Sequence, residues 1–263
     1  MMKDKLLVCD LDGTLLDANG AIDEVSLEKI KQFCEDGGHF VVCTGRMDTD
    51  IRYIEDKLGF KSEYRISQNG AVIYDKSEQL YYETIPQKYI ATLNRIIFGV
   101  GLRTEVSNVT NRLFPSPRDP KDIAEFVDSS IIIENLENFV LEQEKNPTIY
   151  LTFGEKQQFQ EIREKVEEEL GEDAVNIVMT SPNSLEIFSK KVSKGQAVER
   201  IIQQLQLERE NVYTAGDAES DVSMFHVTPN SYAVQQAEAA IREQADFYAE
   251  NVGVIIDEMY KGR

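Results

Sequence analysis

The sequence predicts an α/β fold, a doubly wound parallel sheet (a Rossmann-like core) interrupted by an inserted α+β domain. Three observations carry this reading. Short apolar runs alternate with amphipathic helical stretches from residue 5 to about 75, the same alternation resumes toward the C-terminus, and between them the rhythm breaks into short strand-like runs with polar turns. Alternation of this kind builds βαβ units, whose ligands gather at the carboxyl ends of the parallel strands.

Taken in order, Leu6–Cys9 is an apolar run that stops at Asp10-Leu11-Asp12-Gly13, so it reads as a buried strand with a polar tip. A helix over 26–35 stops at Gly37-Gly38, and the run His39–Cys43 completes a βαβ unit. A second helix over 48–58 ends at Gly59, and Tyr64–Ser67 supplies another strand. Over 72–84 two short runs joined by a polar turn look antiparallel, which marks a domain boundary. Pro86 then opens a helix to about 98. Strand-like runs follow over 102–106, 111–114, 130–134 and 148–153, with helices over 119–127 and 155–170, and the insert ends near Pro182. A helix over 194–205, a strand over 211–215, a helix over 219–225, a strand over 231–234 and a helix over 238–244 complete the chain. The expected organisation is a discontinuous core, residues 1–82 and 185–263, with an insert over 83–184.

A chain of 263 residues with 41% hydrophobic and 29% charged residues has an ordinary globular composition. Its formal net charge of -19 argues against a nucleic-acid partner, because no basic stripe is present to displace phosphate counterions. The same field repels anionic substrates, so a phosphate ligand needs a local cation and local Lys or Arg. Cys9, Cys34 and Cys43 form an odd set without metal-like spacing, which fits a reducing compartment. The first apolar run, four residues long, is too short for a signal peptide or a membrane span. A cytoplasmic protein without a membrane partner is expected, and no pattern specifies an oligomeric state. His39 and His226 are the only histidines, which disfavours a zinc centre or a histidine relay. Arg103, Arg112 and Arg118 either line a pocket of the insert or, on the plainer reading, are solvated surface.

The chemistry-bearing residues fall at the ends of apolar runs. Asp10 and Asp12, two apart on a strand, point the same way, and Gly13 lets the chain turn. Two carboxylates that close cannot both ionise cheaply, so either one holds a proton or a cation sits between them. Thr44, Gly45 and Arg46 end the second run. A hydroxyl and a glycine N–H before a helix suit a phosphate oxygen, although Thr44 also fits a plain helix N-cap. Lys194 opens a helix, where its charge opposes the dipole, so an ammonium gripping an anion is the sharper reading. Asp217 and Asp221 stand four apart after another strand. Capping explains one of them, and oxygen ligands of this kind suit Mg²⁺. Together these groups fit in-line attack by Asp10 on phosphorus, charge neutralisation by Mg²⁺ and Lys194, and proton transfer by Asp12.

In this order, DLDGTLLD, VVCTGR, SKGQAV and GDAESD resemble the four motifs of the haloacid dehalogenase-like (HAD) phosphatases. The layout is similar to their Cof-type branch, in which a type IIB cap is inserted between the second and third motifs. The resemblance implies that Asp10 is the nucleophile and a Mg²⁺ ligand, and that Asp12 is the acid/base and lends its backbone carbonyl to the metal. It assigns phosphate binding to Leu11, Thr44, Gly45 and Lys194, and the metal to Asp217 with Asp221 behind it. Ser220 stands where relatives usually have Asn, which keeps a hydroxyl but loses the amide's reach. Residues 67–71, SQNGA, resemble the branch's loop before the cap, where Asn69 is either a turn residue or a substrate contact. Arg46 is a further candidate contact. The implied substrate is a small phosphorylated metabolite, a sugar phosphate or phosphorylated cofactor, with the cap closing to select the leaving group. A phosphomutase and a non-catalytic binding or regulatory protein on the same scaffold are the alternatives.

Overall fold

The computed structural model describes residues 2–17, 19–76, 78–118, 130–142 and 146–262. Four consecutive apolar residues bury strand β1 (Leu6–Cys9) on both faces, as a central parallel strand requires. Its neighbours are β2 (His39–Cys43) on one side and β12 (Val212–Gly216) on the other, so Leu6 pairs with both His39 and Val212. The eight-stranded sheet runs β14-β13-β12-β1-β2-β3-β4-β5, with β3 (Tyr64–Ser67), β4 (Val72–Asp75), β5 (Glu78–Tyr82), β13 (Ser231–Val234) and β14 (Phe247–Ala249). Strands from β14 to β3 are parallel, and β4 is antiparallel to β3. Strand order reverses at β1, which places a crevice at its carboxyl end.

Helix α1 (Glu24–Glu35) begins two residues before the expected position because Asp23 caps it, accepting a hydrogen bond from the Ser26 amide. Helix α2 (Asp48–Leu58) ends at Gly59, whose φ of 69° is left-handed. Helix α6 (Lys194–Leu205) lays Ala197, Val198, Ile201 and Ile202 against Leu6, Val8, Val41 and Ile66 of the sheet. A 3-10 turn, Glu219–Asp221, leads into the short α7 (Val222–Phe225), and α8 (Ala239–Arg242) is shorter than expected. Strand β14 and helix α9 (Val252–Lys261) were not anticipated. The sequence VGVII reads locally as strand, but Asn251 caps a helix by accepting from the Val254 amide. Gly253 then donates to Ser26 Oγ at 3.0 Å, and Lys29 Nζ lies 2.7 Å from Asp257 Oδ2, which joins α9 to α1.

The chain divides into two compact units, Met1–Tyr81 with Ser193–Arg263, and Tyr82–Val192. The second has a six-stranded sheet in the order β10 (Val175–Ser181), β11 (Ser184–Ser189), β9 (Ile149–Phe153), β6 (Arg103–Ser107), β7 (Arg112–Phe114), β8 (Ser130–Ile132). Every pair is antiparallel except β7 with β8. Helices α3 (Gln87–Gly99), α4 (Leu136–Glu142) and α5 (Lys156–Leu170) belong to this unit, whose core includes Ile90, Leu93, Val106, Tyr150, Ile162 and Ile187. The helix expected over 119–127 lies outside the described residues. The boundary expected at 184/185 differs from the observed one, because Pro182-Asn183 turns a hairpin rather than ending the unit. Strand β11 is buried along its whole length between β9 and β10, so the chain returns to the first unit at Ser193. Among the described residues no helix is long and apolar enough to cross a membrane.

Candidate active site

The carboxyl end of β1 is a tight loop. The Asp10 amide continues the pairing with β12 by donating to the Ala215 carbonyl at 2.9 Å, and the chain then folds back, with Leu15 and Leu16 amides on the Leu11 carbonyl. Gly13 is required at the turn. Its φ is +83°, and a Cβ there would lie 2.4 Å from Asp217 Oδ2. The Leu11 side chain is buried and its carbonyl is taken, so it has only its N–H to offer an anion.

Lys194 sits in the first turn of α6, after the N-cap Ser193, and is 3% exposed. Its Nζ donates to Asp10 Oδ1 and to Asp221 Oδ1, both at 2.6 Å. Asp221 is fully buried, and its Oδ2 accepts from the Asp217 and Ala218 amides at 2.9 and 3.0 Å. Both of its oxygens are therefore engaged, and it orients Lys194 and the turn bearing Asp217. Asp217 Oδ1 accepts from Thr14 Oγ1 at 2.6 Å. Close packing fixes this arrangement, since a Cβ on Gly195 would meet the Ser223 carbonyl oxygen at 2.1 Å.

One ammonium among several carboxylates leaves an excess of negative charge. Burial, with the charges of Asp221 and Asp217, pushes the Asp10 carboxyl well above the usual range despite Lys194. Burial opposes the Lys194 charge, but Asp10 and Asp221 outweigh it and hold the ammonium well above its ordinary value. Asp217 is pushed up to about 6, chiefly by burial, with the Thr14 hydroxyl opposing and Asp221 adding to the rise. Asp10, Asp217 and Asp221 offer carboxylate oxygens within 4.8 Å of one another. The donor set is oxygen only and over-supplied with negative charge, so it fits a hard divalent cation such as Mg²⁺.

Thr44 is buried and its Oγ1 accepts from the Arg46 amide at 3.3 Å, while Met47 is the N-cap of α2. The N-cap reading of Thr44 therefore does not hold. Gly45 lies against Asn69, where a Cβ would sit 3.0 Å from Oδ1, and Asn69 is buried at a left-handed φ of 57°. Its amide donates to the Thr44 carbonyl at 3.0 Å, which ties the SQNGA loop to the second motif. Arg46 donates to both oxygens of Asp12. Ser220 is half-buried, and its carbonyl accepts from Ser223 Oγ at 3.2 Å. Sequence reasoning missed Thr14 and the Arg46–Asp12 pair. A hydroxyl directly after the turn glycine was the available signal for Thr14; the ion pair spans 34 residues and left none.

The haloacid dehalogenase-like hydrolase family matches residues 7–253. Phosphatase YwpJ of Bacillus subtilis is 29% identical, the alignment covering 92% of this chain and 93% of that protein. The 5-amino-6-(5-phospho-D-ribitylamino)uracil phosphatase YcsE of the same organism is 25% identical over 92% of this chain and 88% of its own. Among solved structures, the HAD subclass IIB sugar phosphatase BT4131 superposes with a TM-score of 0.80 at 20% identity, covering 98% of this chain and 99% of that one, which speaks for the fold. With its motifs gathered at the carboxyl ends of the parallel strands and a family match over nearly its whole length, the chain belongs to the haloacid dehalogenase-like hydrolases.

Proposed function

We propose that the chain is a Mg²⁺-dependent phosphatase that hydrolyses a small phosphorylated metabolite through an aspartyl-phosphate on Asp10. The observation that carries this reading is the buried contact of Lys194 Nζ with Asp10 Oδ1, 2.6 Å, at the tip of β1. It occupies one carboxylate oxygen and orients the other, which takes no hydrogen bond among the described residues and can serve as nucleophile. Asp10 and Asp217 would hold Mg²⁺ together with the Asp12 carbonyl, while Asp221 supports them from behind. The cation, when bound, supplies neutralisation of carboxylate and phosphoryl charge.

In this reading Asp10 attacks phosphorus in line, and the bond to the leaving oxygen breaks as Asp12, protonated once one of its oxygens is released from Arg46, gives that oxygen a proton. Lys194, Thr44 and the N–H groups of Leu11 and Gly45 hold the phosphoryl oxygens. Asp12, now a carboxylate, takes a proton from the water that attacks the phosphoryl group, so inorganic phosphate leaves and Asp10 is regenerated. The unit Tyr82–Val192 takes the part of the cap. The substrate named for YcsE and the sugar phosphatase activity named for BT4131 support a phosphorylated polyol, sugar or cofactor precursor as the substrate class. Three free thiols suit a reducing compartment such as the cytoplasm.

Release of inorganic phosphate from a panel of sugar phosphates, phosphorylated cofactors and 4-nitrophenyl phosphate, with Mg²⁺ and with EDTA, tests the proposal. Metal-dependent release is expected. Transfer of phosphate to added sugar phosphate with little free phosphate would overturn it in favour of a mutase, and no turnover at all would overturn it in favour of a binding protein.

A further inference from the structure

The flank of the parallel sheet carries a second charged cavity that shares no residue with the aspartate cluster. All four residues of β3 are buried, and at the second of them a cation, Arg65, occupies a place suited to an aliphatic side chain, 3% exposed. Its guanidinium is fixed by the protein. Nε donates to Asp48 Oδ1 at 2.6 Å, Nη2 donates to the Lys76 carbonyl at 2.5 Å, and the Tyr74 ring lies 5.7 Å from Cζ. Among the described residues Nη1 has no protein partner, and Arg65 lines a cavity of about 380 Å³ between α2, β3 and β4.

The charge balance of this cavity is opposite to that of the molecule. Arg52, Lys61, Arg65 and Lys76 line it, against the carboxylates of Asp48 and Glu55. Both carboxylates are already engaged, Asp48 by Arg65 and by Arg52 Nε at 3.1 Å, and Glu55 by the Ser62 amide at 2.9 Å and the Ser62 hydroxyl. Lys61 is itself paired with Asp56 at 3.3 Å, but in a chain of net charge -19 a concave surface with four cations, one of them a fixed buried guanidinium, and an aromatic wall is suited to retain an anion. We propose that this cavity binds a small, multiply charged oxyanion bearing carboxylate or phosphate groups, held from below by Arg65 and from the rim by Arg52 and Lys76. Asp48, in the first turn of α2, stands two residues after Arg46, so the ligand would sit on the helix that follows the second motif.

Calorimetric titration of the full chain with citrate and with pyrophosphate, in the absence of divalent metal, tests this. Without metal the aspartate cluster repels such anions and does not compete. Submillimolar binding at one site is expected, with citrate and pyrophosphate separating a carboxylate from a phosphate preference. In the variant Arg52→Gln/Lys76→Gln, which alters exposed side chains only, affinity should fall at least tenfold while Mg²⁺-supported hydrolysis of 4-nitrophenyl phosphate is unchanged. Arg65→Gln should abolish binding, but it removes the buried ion pair of Asp48, whereas Arg52→Gln removes only the exposed one and leaves Arg65 in place, so the double variant decides. Binding of equal strength in that variant, or no binding of either anion to the natural chain, overturns the proposal.

Discussion

Arg46 grips Asp12 at two points, Nε to Oδ2 at 2.6 Å and Nη2 to Oδ1 at 2.5 Å. A planar guanidinium matched to both oxygens fixes the orientation of a carboxylate as well as its charge. If Asp12 delivers the proton to the leaving oxygen, losing that orientation matters only when the leaving group needs a proton. Arg46→Gln should therefore lower kcat on a sugar phosphate by about 10–100-fold, within the usual share of general acid catalysis, and on 4-nitrophenyl phosphate by only a few-fold. Steady-state kinetics on the two substrates checks this. Equal losses on both would place Arg46 on the phosphoryl group instead.

Removal of the nucleophile should separate chemistry from folding. Asp10→Asn keeps the shape of the side chain and a hydrogen-bond acceptor for Lys194, while taking one carboxylate from an over-acidic cluster. Turnover should fall by at least about 10³-fold, as losses of catalytic nucleophiles do. Near-UV circular dichroism and the melting temperature should hold or rise. Appreciable activity in this variant would remove Asp10 from the nucleophilic role.

Lys194 is the only described cation between Asp10 and Asp221, and all three side chains are almost completely buried. Deleting the ammonium leaves two buried carboxylates face to face, so Lys194→Met should cost about 3–5 kcal/mol of stability in the metal-free protein. Combining it with Asp10→Asn should return part of that loss. Urea unfolding of the two single variants and the double variant measures the coupling, and simple additivity would show that the contact carries no stability.

The raised pKa of Asp217 fixes the sign of a pH effect. A carboxyl that titrates near 3.8 when unfolded and at about 6 when folded binds its proton more tightly in the native state. Its favourable contribution is complete below pH 4 and is lost as pH rises through 6. For the metal-free protein, the melting temperature should therefore be higher at pH 5.5 than at 7.5. Saturating Mg²⁺ should raise the value at pH 7.5 and narrow the gap, because a cation takes over the role of the proton. A melting temperature that climbs from pH 5.5 to 7.5 without metal would contradict the placement of Asp217 in a desolvated acidic cluster.

Much of this site is written locally. Leu6–Cys9 could be read because four apolar residues meet an abrupt polar boundary, and Lys194 because a lysine at a helix start runs against the dipole. Asp217 and Asp221 stand in one short turn, so their association needs no long-range information. What lay outside the reach of pattern is tertiary. Arg46 meets Asp12 and Thr14 meets Asp217 only because β1, β2 and β12 lie side by side, and neither pair has a periodic signature. In the sequence the hairpin of β10 and β11 is indistinguishable from a boundary, because Pro182-Asn183 is a turn signal in either case. Helix α9 was hidden by β-branched residues whose packing against α1 overrides their strand preference.

The position of β1 between β2 and β12 also sets a timetable for the protein's birth. Residues 82–192 emerge from the ribosome as one continuous stretch with a hydrophobic core of its own. Meanwhile β1 is paired by β2 along one edge only, and its other edge waits for Val212–Gly216. Until then a row of unpaired backbone groups on an entirely apolar strand is open to other chains, a template for aggregation that a nascent chain must keep shielded. Lys194, Asp217 and Asp221 also follow residue 192 and arrive equally late. A polypeptide stalled before residue 194 would hold Asp12 with its partner Arg46 but Asp10 without Lys194, Asp217 or Asp221, so a prematurely terminated product would be sticky and chemically silent at once.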